Sequence, residues 1–154
     1  MRGHRRATRR TAGGVRRVVI IADTGALISH LDVLEPAHER VTAIIDAERD
    51  PIVISPFVLA ELDYLIGKRL GPRAARVALD ELSGGAYEIA LYGADDVRRT
   101  LRVLDRHAER RLGLTDASLV VLADRYAATT ILTVDRRDFR GLVRGDGTPL
   151  TILP

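Results

Sequence analysis

Short apolar runs alternate with longer amphipathic stretches along most of the chain, and that rhythm predicts its elements. Residues 18–22 (VVIIA) are apolar throughout and mostly β-branched, the pattern of a strand buried on both faces. A helix is expected from Thr24 to Val33. A second helical stretch opens at Pro36 and places Val41, Ile44 and Ile45 on one face, with Arg40, Glu48 and Arg49 elsewhere. Residues 52–55 (IVIS) read as another short strand, ended by Pro56, and 57–69 and 72–82 as a helix pair broken at Gly71-Pro72. Gly84-Gly85 marks a turn before a third strand at 86–91 (AYEIAL). A long helix from Ala94 to Arg111 is expected to carry Val97, Leu101 and Leu104 inward. Outside, it would pair Asp95 with Arg99 and Arg106 with Glu109, and Gly113 would end it. Thr115 is the expected N-cap of a helix running to Ala127, followed by a strand at 130–134 (TILTV) and a final strand at 150–153. Strands that alternate with helices predict an α/β domain: a three-layer α/β/α arrangement with a central, mainly parallel sheet.

Composition narrows the functional classes. The chain has 154 residues, 46% of them hydrophobic, which suits one globular domain with a substantial core; no internal repeat and no second domain is expected. No apolar run approaches the ~20 residues of a membrane span, and the basic N-terminus lacks the apolar stretch of a secretory signal. A cytoplasmic protein with no membrane partner is therefore expected. The absence of cysteine excludes disulfides, thiolate zinc sites and a cysteine nucleophile. His4, His30, His38 and His107 are too scattered to suggest an imidazole metal site. Charge is unevenly spread: residues 1–17 contain seven arginines and no acid. Removing those seven charges from the net +3 leaves −4 on residues 18–154. Residues 1–17 are thus expected to be a disordered basic extension: a plain solvated tail, the product of a start codon called too far upstream, or a segment that grips phosphates by sequence-independent electrostatics. The domain proper is expected to occupy residues 18–154.

Four carboxylates carry the candidate chemistry. Asp23 closes the run VVIIAD and Asp135 closes ILTVD, so both follow expected parallel strands, where open α/β sheets place their ligands. Glu61 sits inside FVLAELDYLI and Asp116 opens DASLVVLADRYA. The helical neighbours of Glu61 at three and four residues are Phe57, Val58, Tyr64 and Leu65; those of Asp116 are Leu112, Gly113, Leu119 and Val120. None is cationic, whereas acids such as Asp95, Asp105 and Glu109 have an arginine at that spacing. Plainer roles are available for each: an N-cap at Asp23, an edge-of-core acid at Glu61, a first-turn acid at Asp116, a turn residue at Asp135. Unpaired charge on apolar segments costs several kcal/mol, on the order of what a domain can spare. If the four acids converge, a divalent cation is the simplest compensation, because crowded carboxylates otherwise raise one another's pKa. Oxygen-only coordination suits Mg²⁺ or Mn²⁺, ions that activate water for phosphodiester cleavage without a His, Cys or Lys base.

At these residues the chain resembles the PIN-domain family, and within it the VapC-type ribonuclease toxins of bacterial type II toxin–antitoxin pairs. IADTGALIS resembles the family's opening strand with its first metal-binding Asp, at Asp23. FVLAELDYLI resembles the helix that carries the Glu, at Glu61, and GLTDASLVVLADRYAATTILTVDRRDF resembles the stretch that supplies Asp116 and Asp135. The resemblance covers residues 18–154 in order and spacing. It implies an Mg²⁺- or Mn²⁺-dependent endoribonuclease in which these four acids bind the metal and carry catalysis, with RNA as substrate. It also implies a homodimer and a cognate antitoxin whose C-terminal segment covers the acidic groove, placing an arginine among the carboxylates. Two departures stand out. Gly25 follows Asp-Thr where the family commonly has Ser or another small polar residue, which leaves any hydroxyl role to Thr24 or to none, and the 17-residue basic extension lies outside the family's usual pattern. Separately, Asp138, three residues after Asp135, could assist it or substitute for it.

Other readings fit less well. Asp23-Thr24-Gly25 also matches the hydrophobic-Asp-Thr-Gly string of aspartic proteases, but that fold is all-β. A haloacid-dehalogenase-type phosphohydrolase would need an Asp at position 25, which is Gly, and there is no GxxxxGK[ST] phosphate loop. A non-catalytic PIN-like module that binds RNA or protein is the alternative from a different class; retention of all four acids argues for the enzyme.

Overall fold

The computed structural model describes residues 18–154. Its strands are β1 (Ile20–Ala22), β2 (Ile52–Ile54), β3 (Tyr87–Ile89), β4 (Thr130–Leu132) and β5 (Thr151–Leu153). They form one sheet in the order β3-β2-β1-β4-β5, and every pairing is parallel, where a mainly parallel sheet was expected. Every residue of β1, β2 and β4 is buried, as the unbroken apolar runs require of strands covered on both faces. The expected basic extension at 1–17 lies outside the described residues.

Seven helices occupy the described residues: α1 (Thr24–Leu31), α2 (His38–Ala47), α3 (Pro56–Leu70), α4 (Pro72–Leu82), α5 (Ala94–Arg106), α6 (Leu114–Arg125) and the short α7 (Arg136–Phe139). The chain builds the sheet outward from β1 to β3, then crosses back to β4. Right-handed crossovers therefore place α1–α4 on one face and α5 and α6 on the other. The contacts agree: α1 packs on α2 and α3, α3 on α4, and α5 on α6. No helix among the described residues is long and apolar enough to cross a membrane.

α6 is the element that most constrains the layer it belongs to. Residues Ala117–Ala123 are all buried, because the helix lies on β1 and β4 and is covered in turn by α5. A helix enclosed on all sides has no polar stripe, which is why DASLVVLADR lacks helical amphipathicity. Its register against α3 is fixed by a buried hydroxyl pair: Ser118 Oγ lies 2.7 Å from Ser55 Oγ and donates to the Thr115 carbonyl at 2.6 Å. Ser55 also caps α3 by accepting from the Phe57 amide. One contact between two wholly buried serines thus joins the start of α3 to the start of α6.

Three local expectations are corrected. α5 stops at Arg106, not Arg111, and its buried residues are Thr100 and Val103, while Val97 and Leu101 are 42% and 54% exposed. Thr100 can turn inward because its hydroxyl donates to the Asp96 carbonyl and pairs with the Tyr92 hydroxyl, so no polar group is left unsatisfied. The outer ion pairs also differ: Asp95 meets Arg98, and Glu109 meets Arg110. Finally, Gly113 and not Thr115 caps α6, because the Asp116 carboxylate reaches back to the Gly113 amide and closes the first turn.

Replacing Ser118 by Ala should cost about 1–3 kcal/mol in urea unfolding, since it leaves the buried Ser55 O–H without its acceptor. Ser55→Ala combined with Ser118→Ala should cost less than the two single changes added together. A double variant that is simply additive would show that the pair does not act as a unit.

Candidate active site

β1 and β4 are neighbours whose onward connections leave in opposite directions, the arrangement that opens a crevice beyond the carboxyl ends of the strands. Asp23 is the first residue after β1. Its amide donates to the Leu132 carbonyl at 2.9 Å, so the backbone is still part of the sheet where the acid begins. Its carboxylate accepts from the Thr24 amide at 2.7 Å through Oδ1 and from the Thr133 hydroxyl at 2.7 Å through Oδ2. Only 8% of Asp23 is exposed. That burial pushes its pKa up to about 6, against the pull of the two hydrogen bonds and with smaller contributions from the charges of Asp116 and Glu61.

The other acids arrive from separate elements. Glu61 lies on α3, where its Oε2 accepts from the Thr24 hydroxyl at 2.6 Å. Asp116 lies in the first turn of α6, and its Oδ2 accepts from the Gly113 amide at 2.8 Å. Burial also raises the Asp116 pKa, opposed by that amide and reinforced by Asp138, Glu61 and Asp135. Asp135 caps α7 by accepting from the Arg137 amide at 3.1 Å. All four line one cleft of about 340 Å³.

The structure brings all four acids to one cleft, with unequal burial. Asp23 is buried and Asp116 half-buried, but Glu61 and Asp135 are exposed. The buried line of α3 is Val58, Leu62 and Ile66, and Glu61 stands beside it. The cost of desolvated charge therefore falls on Asp23 and in part on Asp116. The plainer roles turn out to be compatible with the site: Asp23, Asp116 and Asp135 each cap a helix with one oxygen and face the cleft as well.

Some residues of the cleft escaped the sequence reading. Thr133 is wholly buried, donates to Asp23 and accepts from the Asp135 amide at 3.1 Å, so one hydroxyl links two of the acids. Nothing in TILTVD distinguished it from an ordinary strand threonine. Glu35 and Arg69 also line the cleft and pair with each other at 3.7 Å. Asp138, flagged for its spacing, does reach it.

The donor set suits a hard divalent ion: carboxylates only, two of them raised chiefly by burial and further by their acidic neighbours, with Asp23, Glu61 and Asp116 making no ion pair among the described residues. Among those residues no three acidic or imidazole side chains already stand at metal-binding distance of one another. The Thr24 hydroxyl and the Gly113 amide each occupy one oxygen, on Glu61 and on Asp116. The fit is thus one of donor chemistry.

Gly25 also finds its reason here. A Cβ at position 25 would come within 2.7 Å of Val134 Cγ2. The absent side chain makes room for Val134, immediately before Asp135, and Thr24 supplies the hydroxyl toward Glu61.

The family model of the PIN domain matches residues 20–144. The chain belongs to the PIN-domain family. Ribonuclease VapC26 of Mycobacterium tuberculosis is 44% identical to this PIN-domain chain over 135 residues, spanning 88% of it and all of the relative. The resemblance drawn from the motifs is borne out. Solved structures share the fold at lower identity. The crystal structure of Mycobacterium tuberculosis VapC20, a Sarcin-Ricin loop cleaving toxin, superposes with a TM-score of 0.73 at 22% identity, covering 80% of this chain and 96% of that one. VapBC2 from Rickettsia felis, bound to a DNA fragment from its promoter, gives 0.64 at 19%, covering 89% and 100%.

Two outcomes follow from the site. Because the folded-state value of Asp23 lies above the ordinary 3.8, the native protein holds this proton more tightly than the unfolded chain does. The associated stability is present below about pH 4 and is lost as pH rises through about 6. Asp23→Asn should therefore be more stable than the parent at pH 7 in EDTA, by up to about 3 kcal/mol, with the advantage gone at pH 4. Equal stability at both pH values would refute the desolvation argument. Gly25→Ala should lose about 1–2 kcal/mol, the overpacking against Val134 exceeding the gain in helix propensity. Adding Val134→Ala should restore it; a double variant no better than Gly25→Ala alone would place the strain elsewhere.

Proposed function

We propose that this chain is an Mg²⁺-dependent endoribonuclease of the VapC toxin type, with Mn²⁺ as the alternative ion. Asp23, Glu61, Asp116 and Asp135 hold the metal and carry the catalysis. PIN-domain VapC ribonucleases are metal-dependent as a group, and the 44%-identical relative is a ribonuclease. The choice of ion rests on the oxygen-only donor set. The observation that carries the reading is that four acids from four separate elements line one cleft at the carboxyl edge of the sheet.

Bound there, the ion would lower the pKa of a water and stabilise the charge that develops on the phosphate during in-line attack. The side chains divide the remaining work. Asp23, fixed by Thr133 and the Thr24 amide, sets how deeply a phosphate can enter. Asp116 offers the oxygen that its cap leaves free, and Glu61 and Asp135, exposed at the mouth, orient the attacking water. Asp138 stands as an auxiliary to Asp135.

A cognate antitoxin is the second partner in this reading. An open apolar groove of about 490 Å³ runs beside the cleft, with Leu70 and Val77 62% and 65% exposed on its walls. Groove and cleft share Ile28 and Arg69. An amphipathic antitoxin segment seated in the groove would bring a basic side chain among the carboxylates, where a guanidinium replaces the metal's charge. The exposed apolar pair Val97 and Leu101, one turn apart on α5, supports a homodimer. A non-catalytic module would retain the cleft's charge but none of its turnover.

The test is cleavage of RNA by the purified chain with Mg²⁺ and with EDTA. Asp23→Ala and Asp116→Ala should each lower the Mg²⁺-dependent rate at least about 100-fold, as expected when several kcal/mol of transition-state stabilisation are lost, while the folded circular-dichroism spectrum is kept. Parental rates in either variant would remove that acid from the site.

A further inference from the structure

Beyond Asp138 the surface changes sign abruptly. Arg110 and Arg111, from the segment between α5 and α6, and Arg137 and Arg140, from α7 and its C-cap, line a shallow cleft of about 450 Å³ with Asp138. Arg136, Arg137 and Arg140 border a second hollow beside it. Asp138 lines both the arginine cleft and the carboxylate cleft, so the two adjoin.

Of these arginines, Arg110 meets Glu109 at 3.8 Å; the rest are not paired in the manner of those elsewhere on the surface. Arg69, Arg98, Arg125 and Arg144 each meet a carboxylate. Among the described residues, the guanidiniums of Arg111, Arg137 and Arg140 make no ion pair or hydrogen bond. Two neighbours fix the shelf in place. Arg110 donates to the Arg140 carbonyl at 2.6 Å, which ties the two segments together, and Arg136 donates to the Pro154 carbonyl. The chain turns at Gly141, whose φ of +74° is a conformation that suits glycine. Like charges within a Debye length of ~8 Å repel, so a shelf of three free guanidiniums is favoured when a polyanion covers it.

We propose that Arg111, Arg137 and Arg140 form the track that holds the RNA backbone on one side of the scissile bond, so that the strand enters the carboxylate cleft past Asp138. This rests on the ribonuclease reading and adds to it a direction of entry and a minimum length: a substrate must extend from the cleft onto the shelf. Sequence choice is not carried by such contacts, since guanidinium–phosphate pairs position a strand without reading its bases.

The experiment compares the parent with Arg111→Ala/Arg137→Ala/Arg140→Ala, with the corresponding triple Lys variant, and with Arg40→Ala/Arg49→Ala, two exposed arginines that line none of these clefts, as a control. Binding of a fluorescent 12-nucleotide RNA is measured in EDTA across a salt series. Cleavage with Mg²⁺ is measured on the same RNA and on a dinucleotide. The triple Ala variant should lower the slope of log affinity against log salt by about 2, at ~0.7 per phosphate contact in a single strand. It should raise KM for the 12-mer about tenfold or more, with kcat and dinucleotide cleavage unchanged. The triple Lys variant and the control should retain the parental slope. A parental slope and KM in the triple Ala variant would overturn the track while leaving the nuclease standing. A reduced slope in a chain that cuts no RNA would overturn the nuclease and support the track. Displacement of the RNA by poly-glutamate at equal charge concentration would overturn it in favour of an acidic protein partner.

Discussion

The structure turns on a carboxylate buried at the end of the central strand. β1 has neighbours on both sides and runs directly into α1, and the residue between them, Asp23, is only 8% exposed. Placing Asp23 there is tolerable only because the Thr133 hydroxyl and the Thr24 amide are positioned to receive it. Those two donors come from β4's continuation and from the first residue of α1, so satisfying one charge fixes the register of a strand pair and the start of a helix. Thr133 then passes the constraint outward by accepting the Asp135 amide. The exposed acids are located by what the buried one demands.

Much of this can be read from the chain, and the divisions have physical reasons. The strands at 18–22, 52–55 and 130–134 announce themselves because double burial leaves only apolar, β-branched residues. α5 was misjudged because periodicity assigns Val97 and Leu101 inward, whereas Thr100, with both its hydrogen-bonding needs met locally, occupies the inner face. Of the site, the four acids were identified by their segments. Their partners were not, because a threonine that organises two carboxylates has the same sequence signature as one that merely fills a strand. Long-range pairs such as Ser55 with Ser118, 63 residues apart, leave no local trace.

Charge on this molecule is sorted by region. The carboxylate cleft, the apolar groove and the arginine shelf lie side by side, joined by Ile28 and Arg69 on one flank and Asp138 on the other. In the proposed scheme a phosphate chain and an inhibitory peptide approach the same carboxylates from different surfaces. Competition between them then needs only the shared centre, so inhibition does not have to mimic the substrate.

The close approach of Val134 to position 25 constrains how this chain can change over generations. A side chain after Asp-Thr carries a penalty when introduced in a single step, because any Cβ there meets the valine. The route runs through position 134, and that residue is the immediate neighbour of an acid of the site. Drift in this corner is therefore biased: the path on which the valine shrinks before the glycine grows avoids the clash, and each intermediate is exposed to selection on the position of Asp135.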